Sequence, residues 1–357
     1  MRTDVRTVER TIGFDHGRMP AITSRIANWW ECGEQEHPCI IATVAPKSEG
    51  PSHDMTEHWM NVDGIIARTM HRIDNTRYYG EAVPYHYLDL GASAMACTLG
   101  GRVEFVDTTT IWSHPSLNSL EAAADLIRDR TNPYYRLLID TARRSAACAQ
   151  GHHFIAPYAL GGLLDTIAGL YGTEPMLIDM LERPSLLKKA LENMKRVWID
   201  SFNEIASVIS SGDHGGIGWA GVWAPGTTFP VQEDCSYMFS ADMFREFCVP
   251  HLADIFDAMD YPFYHLDGIG AIVHLDALLE MKDLKAIQWQ PGAGKERLHQ
   301  WYDLIRRIID AGKACQVYAH ADEVDDLVKN VGANGLLVIC NCRDESTAHE
   351  LMEKCVE

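Results

Sequence analysis

At 357 residues the chain exceeds an ordinary domain but matches the size of one large α/β barrel. Apolar residues make up 46% of it, enough for a sizeable core, and no run approaches the ~20 uninterrupted apolar residues of a membrane span. Its 31 basic against 50 acidic residues leave a formal charge of -19, which repels phosphate backbones and argues against nucleic acid or an anionic membrane as partner. The amino terminus, MRTDVRTVERTIGFDHGR, has no apolar signal core, so a cytoplasmic location is expected. The ten cysteines are scattered with no CxxC and are expected to be reduced: buried thiols, metal ligands or nucleophiles.

In chain order, residues 5–28 carry a helical pattern, and residues 1–36 are expected to form an N-terminal helical extension. The stretch PCIIAT (38–43) predicts a first buried strand. Residues 45–100 are less regular and read as an elaborated connection holding one or two helices. Further strands are expected at 101–106, 153–156 and 215–219, with helical pattern over 117–149, 160–170 and 175–209. Ser240, with Asp242 and Met243 behind it, has the look of a helix N-cap.

The most regular stretch runs from Tyr261 to Lys295. A short aromatic strand (261–264) leads into His265, Leu266, Asp267 and Gly268; a helical pattern with Ile272, Leu275, Leu278 and Leu279 follows, then a strand over 284–289. Strands at 313–318 and 335–339 alternate with helices near 298–311 and 322 onward, and a helix over 345–356 closes the chain. Eight short apolar strands, each followed by helical pattern, predict one α/β domain with a (β/α)8 TIM barrel fold.

In such a barrel, chemistry sits at the carboxyl ends of the strands. The residues expected there are Trp219, Trp223, Gln232, Glu233, Asp234 and Cys235 after the fourth strand, and His265 and Asp267 after the fifth. Trp289 and Gln290 follow the sixth strand, Tyr318 and His320 the seventh, and Cys340 and Cys342 the eighth. Asp165, in GGLLDTIAG, reads either as a helix cap or as a carboxylate facing the pocket. His265, Asp267 and Cys342 (or Cys340) would make a mixed N/O/S zinc site, since three protein ligands with an open position is the catalytic arrangement. The competing reading is a hydrogen-bonded His-Asp pair and a buried thiol. QPGAGK is rejected as a phosphate loop, because Trp289 stands where the first glycine is needed and Glu296 replaces the Ser or Thr.

Several longer segments resemble the uroporphyrinogen decarboxylase superfamily, which is built on a (β/α)8 barrel. They are LGGRVEFVDTTTIW (99–112), ALGGLLDTIAGLYG (159–172), QEDCSYMFSADMFREFCVPHL (232–252), YHLDGIGAIVHLDALLEMKDLKAIQWQPGAG (264–294) and the segment around Cys342. Within it the chain looks most like the branch found in corrinoid-dependent methyl transfer. True decarboxylases carry an arginine-rich segment near the first strand, whereas here that region reads PCIIATVAPKSEGP and has no arginine. The related methyltransferases bind zinc through His-x-Cys plus a later Cys. This chain offers His265 and Cys342 at matching places, with Asp267 in place of the middle Cys, a harder ligand that would leave zinc a stronger Lewis acid.

The resemblance implies a methyltransferase acting between a small methyl donor or acceptor and a corrinoid (cobalamin) on a partner protein. Zinc is the expected metal, on His265, Asp267 and Cys342, with Glu233, Asp234 and Cys340 as candidates for a fourth ligand. Asp267, Asp234, Tyr318 and His320 are the candidate acid-base residues, and Trp219, Trp223, Gln232, Trp289 and Gln290 the expected substrate lining. A corrinoid-binding protein and the small methyl donor or acceptor are the partners implied, and a homodimer is compatible with this reading. The alternatives are a decarboxylase of a non-porphyrin substrate working through Asp267 or Asp234, and a non-catalytic subunit that binds the corrinoid protein.

Overall fold

The computed structural model describes residues 14–46, 54–210, 212–295 and 297–356. Residues 5–13 of the expected first helix and 47–53 of the elaborated connection lie outside the described residues. Within them, a helix spans Met19–Trp30, with Pro20 in its first turn, where a missing N–H costs nothing.

Of the thirteen strands among the described residues, eight take part in parallel pairings, in chain order β1 (Cys39–Val44), β2 (Tyr85–Tyr87), β3 (Phe154–Ala156), β4 (Thr228–Val231), β5 (Tyr261–Asp267), β6 (Ala286–Gln290), β7 (Ala314–Tyr318) and β8 (Leu336–Asn341). The central sheet has seven strands, in the order Arg77–Gly80, β1, β8, β7, β6, β5, β4. Arg77–Gly80 is antiparallel to β1, and all other pairings are parallel. β2 and β3 pair in parallel in a separate two-stranded sheet. Helices connect β4 through β8, including Ala241–Phe247, Tyr302–Asp310 and Val324–Val331, and Glu345–Val356 ends the chain. The expected α/β class, with a mostly parallel sheet, is thus present. No helix among the described residues is long and apolar enough to cross a membrane.

Side chains on a strand alternate between faces, and here the two faces bury different things. Ile40, Tyr264, Leu266, Trp289, Val317 and Cys340 pack into the larger core with the helices. Ile41, Phe263, Ala286, Ala314, Leu337 and Ile339 form a smaller cluster on the other face. His265 and Asp267 share the phase of Phe263 and therefore that second face.

Two expected strands are displaced. The segment predicted as the second barrel strand, 101–106, contains Arg102–Phe105, which pairs antiparallel with Ile111–His114 in a hairpin outside the central sheet. Its turn is held by Asp107, whose Oδ1 accepts from the Thr109 N–H at 2.7 Å, and in Arg102–Phe105 only the alternate residues Val103 and Phe105 are half-buried against the core, so alternation without a neighbouring sheet gave a false match. β2, which pairs in parallel with β3, is only three residues long, too short for a periodicity signal. The predicted fourth strand, 215–219, reduces to Gly216–Ile217 paired antiparallel with Trp223–Ala224. β4 follows instead at Thr228–Val231. Pro230 disguises it, because proline cannot donate to a ladder, yet β4 lies at the sheet edge and needs partners on one side only. The long helical pattern over 117–149 is broken: Leu120–Ala124 and Pro133–Ala149 are separate helices, the second capped by Asn132.

Candidate active site

The carboxyl ends of β4 and β5 bring three ligand-type side chains together. Asp234, just past β4, and His265 and Asp267 on β5 offer ligand atoms that all lie within 4.8 Å of one another. Gln232 Nε2 donates to Asp234 Oδ2 at 2.6 Å, and Gln290 is the register partner of Asp267 on β6. Trp219 stands edge-on to the His265 ring, centroids 5.1 Å apart, its own N–H bonded to the Pro230 carbonyl at 2.8 Å. Burial holds the His265 pKa below the usual histidine range, with Asp267 pulling the other way, so the ring is neutral. Its Nδ1 bonds to the Gln288 side-chain oxygen.

Asp234 is solvent-accessible, and it borders a cavity of about 350 Å³ that Trp112, Asp165 and Gln232 also line. Desolvation in this mouth, with the charges of Asp165 and Asp267 added, pushes its pKa up to about 8. The residue is therefore a proton donor near neutral pH unless a cation offsets its neighbours. Tyr318, at the end of β7, is pushed up to about 12 by burial and stays a neutral phenol.

A second acidic group beside this one is explained by the fold. Glu233 accepts from the backbone N–H groups of Leu163 (2.8 Å) and Leu164 (3.0 Å), the first residues of the helix Leu163–Tyr171. Asp165, in that helix's first turn, accepts from the N–H groups of Asp234 (2.8 Å) and Cys235 (2.7 Å). Each carboxylate thus caps the other's segment, satisfying amides that would otherwise lack partners. Although Asp165, Glu233 and Cys235 also lie within metal-ligand range, their carboxylate oxygens are already engaged. Glu233 is 4% exposed, and burial and then Asp165 raise its pKa. Gly162 makes the interlock sterically feasible, since a Cβ there would overlap the Gln232 carbonyl and come within 2.6 Å of Asp165 Oδ2. None of Asp165, Glu233, Asp234 and Asp267 forms an ion pair with Lys or Arg among the described residues.

The remaining expected site residues lie apart from this group. Trp289 is fully buried on the helix-facing side, against Trp301. Cys340 and Cys342 also pack toward the helix-facing core, with Cys342 Sγ 4.0 Å from the Cys340 carbonyl, and burial raises both thiol pKa values. His320 is exposed beyond β7, its N–H directed to Glu323 at 3.3 Å. Trp223 lines a different cavity, about 1020 Å³, beside Pro84 and Phe154 at the amino-terminal ends of β2 and β3, where none of the His265 group reaches. Sequence reasoning missed Gln288 and Gln316, buried amides in the middle of β6 and β7. The signal was there: an amide in the middle of each of AIQWQ and ACQVY, in phase with Gln290 and Tyr318.

No family model matches this chain, and no curated protein matches it in sequence. Among solved structures it is similar to a methyltransferase from Methanosarcina mazei, with a TM-score of 0.61 over 93% of this chain and 97% of that one. Identity is 12%, so what the two share is the fold.

Proposed function

We propose that the chain is a methyltransferase on a (β/α)8 barrel of the uroporphyrinogen decarboxylase-like kind. It would move a methyl group between a small methylated substrate or acceptor and a corrinoid held on a partner protein. The observation that carries this is the Asp234, His265 and Asp267 group at the carboxyl ends of adjacent parallel strands. The fold shared with a methyltransferase supports it.

The group suits zinc. Zinc bonds of about 2.0–2.2 Å in tetrahedral geometry put donors roughly 3.3–3.6 Å apart, and these atoms already lie within 4.8 Å of one another. One nitrogen and two carboxylates leave a fourth position for substrate. Asp234 thus takes the place given to Cys342 in the expected ligand set. When bound, zinc would act as a Lewis acid on a substrate oxygen or sulfur. His265, neutral by burial, is ready to bind without first losing a proton, and Trp219 fixes its ring plane. Gln232 orients Asp234, and the Tyr318 hydroxyl can hold a hydrogen bond to substrate without ionising.

Elemental analysis of the purified protein tests the proposal, comparing wild type with Asp234→Ala, His265→Ala and Cys342→Ala. About one zinc per chain, lost in the first two variants and kept in the third, supports it; methyl donors are then screened with reduced corrinoid. A wild type that takes up no zinc even when supplied with it would sink the zinc mechanism. One feature favours a second reading, a decarboxylase: desolvation, with the charges of Asp165 and Asp267 added, raises the Asp234 pKa and suits it to proton donation. Against it, no Lys or Arg among the described residues lines the cavity beside Asp234 to hold a substrate carboxylate.

A further inference from the structure

His265 is one member of a row that crosses three neighbouring strands. It is the register partner of Gln288 on β6, and Gln288 is the register partner of Gln316 on β7. Both glutamines are completely buried. The preceding row on the same face is Phe263, Ala286 and Ala314, so nothing polar lies directly beneath the amides.

The row has a direction. Gln288 Nε2 donates to Gln316 Oε1, and the same amide is placed to donate to the Tyr318 oxygen. With its nitrogen so engaged, Gln288 meets His265 through Oε1, which can only accept. The proton on the neutral ring must then sit on Nδ1, which leaves the lone pair on Nε2. Gln316 Nε2 has no partner among the described residues, so only a joint reversal of both amides would keep their bond; reversing Gln288 alone would set its oxygen against Gln316 Oε1 and its N–H against the ring. In a dry strand centre that arrangement leaves two acceptors facing each other.

We propose that Gln288 and Gln316 are positioning residues that hold His265 in its Nδ1–H tautomer and so present Nε2 as the ligand atom beside Asp234 and Asp267. A divalent cation is the ligand chemistry this presentation serves. That identification rests on the function proposed above, whereas the tautomer rests on the strand register and the amide polarity alone. A plain structural clamp between β5, β6 and β7 would also stabilise the sheet, but it would be indifferent to which ring nitrogen carries the proton.

The test uses the full chain, stripped of metal, with ¹⁵N-labelled histidine. Nitrogen chemical shifts at a pH above the histidine range report which ring nitrogen is protonated, and His265→Gln identifies the resonances. Wild type is expected to show Nδ1 protonated and Nε2 bare. Gln288→Leu should show both tautomers and bind zinc about 10–100-fold more weakly. Gln288→Glu restores the acceptor beside Nδ1 and, with the Gln316 amide turned so that its unpartnered Nε2 donates to the new carboxylate, should return the ring to the single Nδ1–H form. A wild-type spectrum with the proton on Nε2 would overturn the proposal, as would a folded Gln288→Leu protein that keeps the wild-type tautomer. The wild-type spectrum needs no variant, so a variant that fails to fold leaves the test standing. A wild type that shows the expected tautomer but binds no zinc would count against the proposed function and not against the row.

Discussion

Replacing Glu233 by alanine separates a cap from a metal ligand. The carboxylate is 4% exposed and takes the N–H groups of Leu163 and Leu164 at 2.8 and 3.0 Å. Truncation leaves both amides without a partner at the start of the helix Leu163–Tyr171. A buried donor stripped of its acceptor costs about 1–3 kcal/mol, and an N-cap loss typically about 1 kcal/mol. Part of this is offset because the variant no longer buries an acid beside Asp165, the repulsion that helps raise the Glu233 pKa. The net expectation is a loss of about 2–3 kcal/mol. Glu233→Gln keeps one carbonyl oxygen for one amide but turns an NH₂ toward the other, and should lose roughly 1–2 kcal/mol. Urea denaturation of both variants beside wild type, with zinc content measured on the same samples, checks this. Unchanged stability, within about 0.5 kcal/mol, together with loss of zinc would refute the cap and make Glu233 a ligand.

Other outcomes follow from the same structure. Gly162→Ala should be strongly destabilising, by about 2–4 kcal/mol, because the new methyl meets the Gln232 backbone carbonyl, which cannot step aside as a flexible side chain could; a melting curve superimposed on wild type would contradict it. Trp219→Ala should leave the chain folded but loosen the His265 ring, which the tryptophan edge now confines at 5.1 Å, weakening zinc binding within the 10–100-fold range of lost outer partners; isothermal titration with zinc decides, and equal affinity would count against a positioning role. His86 is 1% exposed, bonded through Nδ1 to Ser145 Oγ at 2.7 Å, and burial pushes its pKa down to about 3, with His153 and Arg72 adding to the shift. The unfolded chain binds a proton there below about pH 6.5 while the folded one does not, so stability falls as pH drops through that value, by about 2 kcal/mol between pH 6.5 and 5. Urea midpoints in wild type and His86→Gln measure this share of the slope, and identical slopes would refute it.

The later half of the chain was legible because its strands are buried on both faces and its helices carry clear apolar stripes. Sequence marked β6 to β8 within a residue or two and the start of β5, whose end runs three residues past the expected 264, and the final helix, expected over 345–356, spans Glu345–Val356. In the earlier half β1 and β3 also fall within a residue of their expected places, 38–43 and 153–156, while β2 and β4 do not, for reasons particular to each. β2 has only three residues, β4 contains Pro230, and the hairpin Arg102–Phe105 with Ile111–His114 imitates a barrel strand without joining the sheet. The QEDCS loop nevertheless came out at the site, since it directly follows β4 whichever strand is counted fourth.

Within the site, what sequence lacked was the phase of each strand. Reading the last residues of a strand as rim residues treats both faces alike, but alternation sends neighbours to opposite sides. In β5 the phase of Phe263 carries His265 and Asp267 together, while Tyr264 and Leu266 go to the helices. The same alternation sends Trp289 to the helix side and leaves Gln288 and Gln290 in register with His265 and Asp267. Cys340 packs on the helix side of β8 for the same reason, and Ile339 between its neighbours goes to the other cluster. Phase could have been read from β6 and β7 alone: an amide survives in the middle of an apolar strand only where it has partners. Gln288 and Gln316 therefore mark the polar face of both strands and, through the register, the face on which His265 works. The Asp165–Glu233 interlock offered no comparable clue, because it joins two segments far apart in the chain through backbone amides, which leave no trace in residue identity beyond the small side at Gly162.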